Sequence, residues 1–123
     1  MRAETIVHGD PDPWNVLWQG DRALALIDFD EARPGRRLAD VGYFAWKGLR
    51  LFPEGPSIAE QARRLRILAD GYDIAVDHEL LTAIEAAVAW LHAKGTRDAW
   101  PRESLEQLES EASWLRDTVA ALR

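Results

Sequence analysis

An aspartate-rich opening stiffened by proline constrains this chain more than any other feature. Pro11 and Pro13 flank Asp12. Each ring fixes φ and removes a backbone donor, so the segment around them is a stiff loop and not a helix. Six of the eleven aspartates (Asp10, Asp12, Asp21, Asp28, Asp30 and Asp40) lie in the first 40 residues. Two short apolar segments, residues 15–19 and 23–28, are separated by Gly20-Asp21. A turn pair between two such runs predicts a β-hairpin. Pro34-Gly35 reads as a turn beyond it.

From Leu38 the pattern turns helical. One helix is expected over residues 38–51, ended by Pro53 and Gly55. Ser57 with Glu60 forms a capping box opening a second helix that runs to about Tyr72. Asp77 is a good N-cap for a third, with Gly95 as its stop. In the last helix, after Pro101, Leu105, Leu108, Ala112, Leu115, Val119 and Leu122 recur at steps of 3, 4, 3, 4 and 3. That is one apolar stripe on one face. The fold class is therefore α+β, mostly α. One domain of 123 residues is expected, with residues 1–37 holding the loop and hairpin and residues 38–123 the helices.

Composition removes several function classes. With 47% hydrophobic and 29% charged residues the chain has globular composition. It has no cysteine, which excludes disulfides, thiolate metal sites and cysteine nucleophiles. The longest apolar run, residues 86–91, is far short of the roughly 20 residues of a membrane span. Arg2 and Glu4 stand where a signal peptide would be apolar. A cytoplasmic setting without membrane is the expectation. The net charge of −6 argues against nucleic-acid binding. Thirteen of the fifteen basic residues are Arg, and the two lysines are Lys47 and Lys94. No glycine pair has G-x-G spacing, and neither type of glycine-rich phosphate cradle occurs.

The informative stretch is His8-Gly9-Asp10-Pro11-Asp12-Pro13-Trp14-Asn15, with Ile27-Asp28-Phe29-Asp30 beyond the hairpin. Asn15 begins the first strand and Asp28 ends the second, so the two ends lie side by side. Asp10 sits at the same mouth. Carboxylate and amide oxygens without a soft ligand suit Mg²⁺, which keeps waters and phosphate oxygens in its shell. A further carboxylate can take the proton of an attacking hydroxyl. Together these are the parts of a phosphoryl-transfer site.

H-G-D-x-x-x-x-N followed by hydrophobic-I-D-F-D resembles the aminoglycoside phosphotransferase and choline-kinase-like enzymes. The likeness continues through Ala32-Arg33-Pro34-Gly35 and Asp40-Val41, and covers about residues 6–51 closely. It implies the C-terminal lobe of a protein-kinase-like fold. It implies ATP-dependent, Mg²⁺-assisted transfer of a phosphoryl group to a small-molecule hydroxyl. Asp10 would be the catalytic base and His8 would brace the catalytic loop. Asn15 and Asp28 would hold metal. Asp40 would accept hydrogen bonds from the loop backbone, and Asp30 would support the site. Many members have His where this chain has Asp12, which is given no role. Nucleotide-binding residues are not identifiable.

In the family an N-terminal lobe carries the nucleotide loop and a phosphate-binding Lys. Only seven residues precede His8. The expectation is the C-terminal lobe alone, a truncated chain that is inactive by itself and binds Mg²⁺ and ATP weakly or not at all. Ile6, Val7, Trp14, Trp18 and Leu24 are then expected on an open face, covered by a second copy or a separate N-terminal lobe. The alternative is a non-catalytic remnant or a helical module that binds a partner. A dehalogenase-type reading of Asp28-Phe29-Asp30 fails, because Ala32 stands where that family has Thr or Val. Trp14, Trp18, Trp46, Trp90, Trp100 and Trp114 are read as packing residues. Arg33, Arg36 and Arg37 are read as a solvated loop. Glu103, Glu106, Glu109 and Glu111 are read as the exposed face of the last helix, and His78 and His92 as ordinary helix residues.

Overall fold

Two separate two-stranded sheets and four helices build the fold, which is described for residues 2–123 of a computed structural model. Thr5–Val7 (β1) pairs antiparallel with Arg33–Gly35 (β4), Ile6 standing opposite Pro34. The sequence reading put Pro34-Gly35 in a turn; both are extended. The fixed φ of proline suits an edge strand, where its missing donor faces no partner. Gly35 lets the strand close over Val7, whose methyls would lie 3.2 Å from a Cβ at that position. Val7 is therefore buried, contrary to its expected exposure, while Ile6, Trp14, Trp18 and Leu24 are exposed.

Val16–Gln19 (β2) and Arg22–Leu26 (β3) form the expected hairpin. Gly20 takes the left-handed φ of +61° at the turn. The pairing slips between Leu17 and Trp18. β3 ends two residues earlier than expected because Asp28 has φ +60°, which no strand accommodates.

The helices are Arg37–Leu49 (α1), Ile58–Tyr72 (α2), His78–Arg97 (α3) and Arg102–Thr118 (α4). α2 opens on Ser57, whose hydroxyl accepts from Glu60 N at 3.2 Å, and α3 opens on Asp77, which accepts from Leu80 N at 3.1 Å. The Glu60 carboxylate turns to Arg63 and Arg64 (2.7 and 3.1 Å), so the capping box is only half made. α3 does not stop at Gly95. It runs on to Arg97, and Gly95 is needed for contact: a Cβ there would lie 2.7 Å from the Trp100 ring.

The core lies between the helices. Trp46, Leu51, Leu65, Leu80, Ile84, Val88, Leu115 and Leu122 are fully buried. Leu108 and Leu115 of the last stripe face inward as α4 packs on α3; the expected helix gives way to a 3₁₀ turn at Val119–Leu122, which packs on α2 with Leu122 buried. Trp90, Trp100 and Trp114 are half-buried against this core, while Trp14 and Trp18 stand outside it. Glu111 is not on the exposed face. It is 8% exposed, its Oε1 accepts from Trp46 Nε1 at 3.3 Å, and burial raises its pKa above the ordinary value. The indole needs an acceptor in the core, and α4 supplies it. Among the described residues no helix is long and apolar enough to cross a membrane.

α1 and α3 touch backbone to backbone at Gly42, where a Cβ would come 2.5 Å from Ala83 O. Gly→Ala inside a helix ordinarily stabilises by about 0.5–1 kcal/mol. Here the sign reverses: Gly42→Ala should cost about 1–3 kcal/mol in urea unfolding, from overpacking. Glu111 gives a second test. Its folded pKa is raised, so its contribution to stability is complete below the unfolded value and is lost as pH rises through the folded value. Glu111→Gln keeps the acceptor for Trp46 and cannot ionise. Its melting temperature should match the parent near pH 4, exceed it as pH rises through the folded value, and keep a level lead from there to pH 8. A constant difference across that range would contradict the assignment.

Candidate active site

β1 ends at Val7, and the next two backbone N–H groups have no strand partner. Asp40, in the first turn of α1, takes both. Its Oδ2 accepts from His8 N at 2.8 Å and its Oδ1 from Gly9 N at 3.0 Å. A carboxylate is favoured at that end of a helix. Gly9 has φ +92°, and a Cβ would run into Glu31 O, so glycine is required there.

His8 is buried and uses both ring nitrogens. Nδ1 accepts from Asp10 N at 3.1 Å, which puts the proton on Nε2, and Nε2 donates to Ile27 O at 2.8 Å. The ring lies 4.6 Å from Phe29. His8 thus ties the loop to the residue before Asp28. A single 3₁₀ turn at Pro13–Asn15 then leads into β2.

Asp10 stands inside this loop, partly buried. Tyr43 Oη donates to its Oδ1 at 2.9 Å. Asn15 Nδ2 donates to Asp10 O at 2.8 Å and reaches Asp10 Oδ2 at 3.4 Å. Asn15 O accepts from Ile27 N at 2.9 Å, so Asn15 and Asp28 occupy neighbouring positions at the open end of the hairpin. Asp28 is exposed and accepts from Asp30 N at 3.5 Å; Asp30 is exposed as well. Among the described residues no three His, Cys, Asp or Glu side chains converge as metal ligands. The amide oxygen of Asn15 and the carboxylate of Asp28 are donor types that suit a hard cation also carrying phosphate and water.

Asp12, given no role from sequence, is 4% exposed. Its Oδ2 lies 3.3 Å from Tyr43 Oη, and its Oδ1 has no hydrogen-bond partner. Burial, and after it the neighbouring Asp10, push its carboxyl up to about 7. Burial and the two carboxylates likewise raise the Tyr43 phenol. The 3₁₀ turn after Asp12 folds it under α1. Tyr43 follows Asp40 by three residues, so both lie on one helix face. That spacing is the signal the sequence reading passed over.

Arg33 is not solvated. Its guanidinium lies 3.9 Å from the Trp90 ring centroid and donates to Glu31 O at 2.8 Å. Arg36 and Arg37 do face solvent, and pair with Glu4 at 3.4 and 3.7 Å. His92 pairs with Glu109 at 3.1 Å. Behind the loop, a cavity of about 490 Å³ lies between β1, β4, α1 and α3. Asp40, Tyr43 and Trp90 line it; Asp10, Asn15 and Asp28 do not.

Comparison with known proteins bears on the same residues. The trifolitoxin immunity protein of Rhizobium leguminosarum bv. trifolii is 27% identical over a 137-residue alignment that covers 94% of this chain and 52% of the relative. The chain therefore spans about half the length of that relative. No solved structure matches it. The model of the phosphotransferase enzyme family matches residues 1–75, which contain the whole loop, the hairpin, α1 and Asp40. The chain belongs to the phosphotransferase enzyme family.

Proposed function

We propose that this chain forms the catalytic part of an ATP-dependent phosphotransferase acting on a hydroxyl of a small molecule. The observation that carries the reading is the mouth of the hairpin, where Asp10 is held beside Asn15 and Asn15 beside Asp28. Phosphoryl transfer asks a protein mainly for positioning and charge stabilisation. Asp10 accepts the proton of the substrate hydroxyl as its oxygen bonds to the γ-phosphorus and the bond to ADP breaks. Asn15, its amide nitrogen turned to Asp10, has its carbonyl oxygen for Mg²⁺, and Asp28 supplies a carboxylate. The ion, when bound, offsets charge on the ATP phosphates. His8 and Asp40 keep the loop in shape and touch no substrate. A relative named for immunity to a toxin is compatible with a substrate disabled by an added phosphate.

With only two protein ligands, Mg²⁺ alone should bind weakly, and calorimetry with MgCl₂ should show no micromolar site. MnCl₂ added with ATP should broaden the amide resonances of Asp10, Asn15 and Asp28 before those of α2 and α4. Asp28→Ala should abolish that selectivity. Even broadening across the chain, or a tight site for Mg²⁺ alone, would contradict the reading.

A further inference from the structure

We infer that Tyr43 is a positioning residue that fixes the Asp10 carboxylate through Oδ1 and leaves Oδ2 as the oxygen that receives the substrate proton. The inference rests on Asp10 being the proton acceptor.

Hydrogen counting gives the arrangement. A phenol has one proton to donate. Tyr43 Oη has two carboxylate oxygens within reach, Asp10 Oδ1 at 2.9 Å and Asp12 Oδ2 at 3.3 Å. The shorter contact is the donated bond. The longer contact, to Asp12 Oδ2, is the weaker of the two.

The Tyr43 phenol is held rigidly. The Tyr43 ring is 4% exposed and meets Trp46 and Trp90 edge-on, at centroid distances of 5.7 and 6.3 Å. Pro11 and Pro13 flank Asp12 and limit its backbone. The terminal torsion of an aspartate is broad and nearly two-fold, so a free Asp10 would present either oxygen. Tyr43 removes that freedom. On the other oxygen Asn15 Nδ2 stands at 3.4 Å, too long to block a proton.

The test uses the 123-residue chain with ¹³Cγ-labelled aspartate, compared in H₂O and D₂O by NMR. The Asp10 Cγ signal should show an isotope shift transmitted from the Tyr43 phenol proton. Tyr43→Phe keeps the ring packing and should abolish that shift and move the Asp10 signal, with the Asp40 signal unchanged. An Asp10 signal unaltered in Tyr43→Phe would overturn the inference. If Tyr43→Phe does not fold, an Asp10 signal without an isotope shift in the unaltered chain would overturn it as well. Neither ATP nor metal enters the readout. A lost isotope shift together with failed Mn²⁺–ATP broadening would keep the Asp10–Tyr43 positioning and discard the phosphotransferase reading.

Discussion

The carboxylate of Asp40 joins the two halves of this molecule. It reaches from the first turn of α1 to two successive N–H groups of the loop, at 2.8 and 3.0 Å. Charge-assisted hydrogen bonds of this kind contribute about 1.5–3 kcal/mol each. The β elements have little else to hold them in place. They form two sheets of two strands, and the β2–β3 hairpin is exposed along β3. Such a hairpin is marginal alone in water. Tyr43 on Asp10, Arg33 on Trp90 and Lys94 with Glu31 add further links to the helices.

From that anchor the site follows by satisfied donors. His8 uses its backbone on Asp40 and its ring on Asp10 N and Ile27 O. Asn15 uses its side-chain amide nitrogen on Asp10 and its backbone carbonyl on Ile27 N. Each bond removes a freedom of the loop, while Asp28 and Asp30 stay exposed. Rigidity is concentrated at Asp10 and openness at Asp28, which is the division of labour that the proposed function uses.

Local rules made much of the fold legible. Gly20 at a turn, Ser57 and Asp77 at helix starts, and the stripe from Leu105 to Leu122 each act through neighbours a few residues away. The readings that failed depend on distant partners. Pro34 and Gly35 are extended because β1 lies beside them. Gly95 sits within α3 because Trp100 folds back on it. Glu111 turns inward because Trp46, 65 residues earlier, needs an acceptor. The loop, Asn15 and Asp40 were visible as a motif. Asp12 and Tyr43 were not: the Asp40–Tyr43 spacing puts both on one helix face, but only the fold shows that α1 passes over the proline loop.

Amide hydrogen exchange in Asp40→Asn measures the anchor most directly. An asparagine offers one oxygen where the carboxylate offers two, and loses the charge. Losing about 1.4 kcal/mol or more would speed exchange at His8 and Gly9 by roughly tenfold or more. The amides of Trp46, Leu65, Ile84 and Leu115 should keep their protection, because the helical core packs without the loop. Unchanged exchange at His8 and Gly9 would contradict the account.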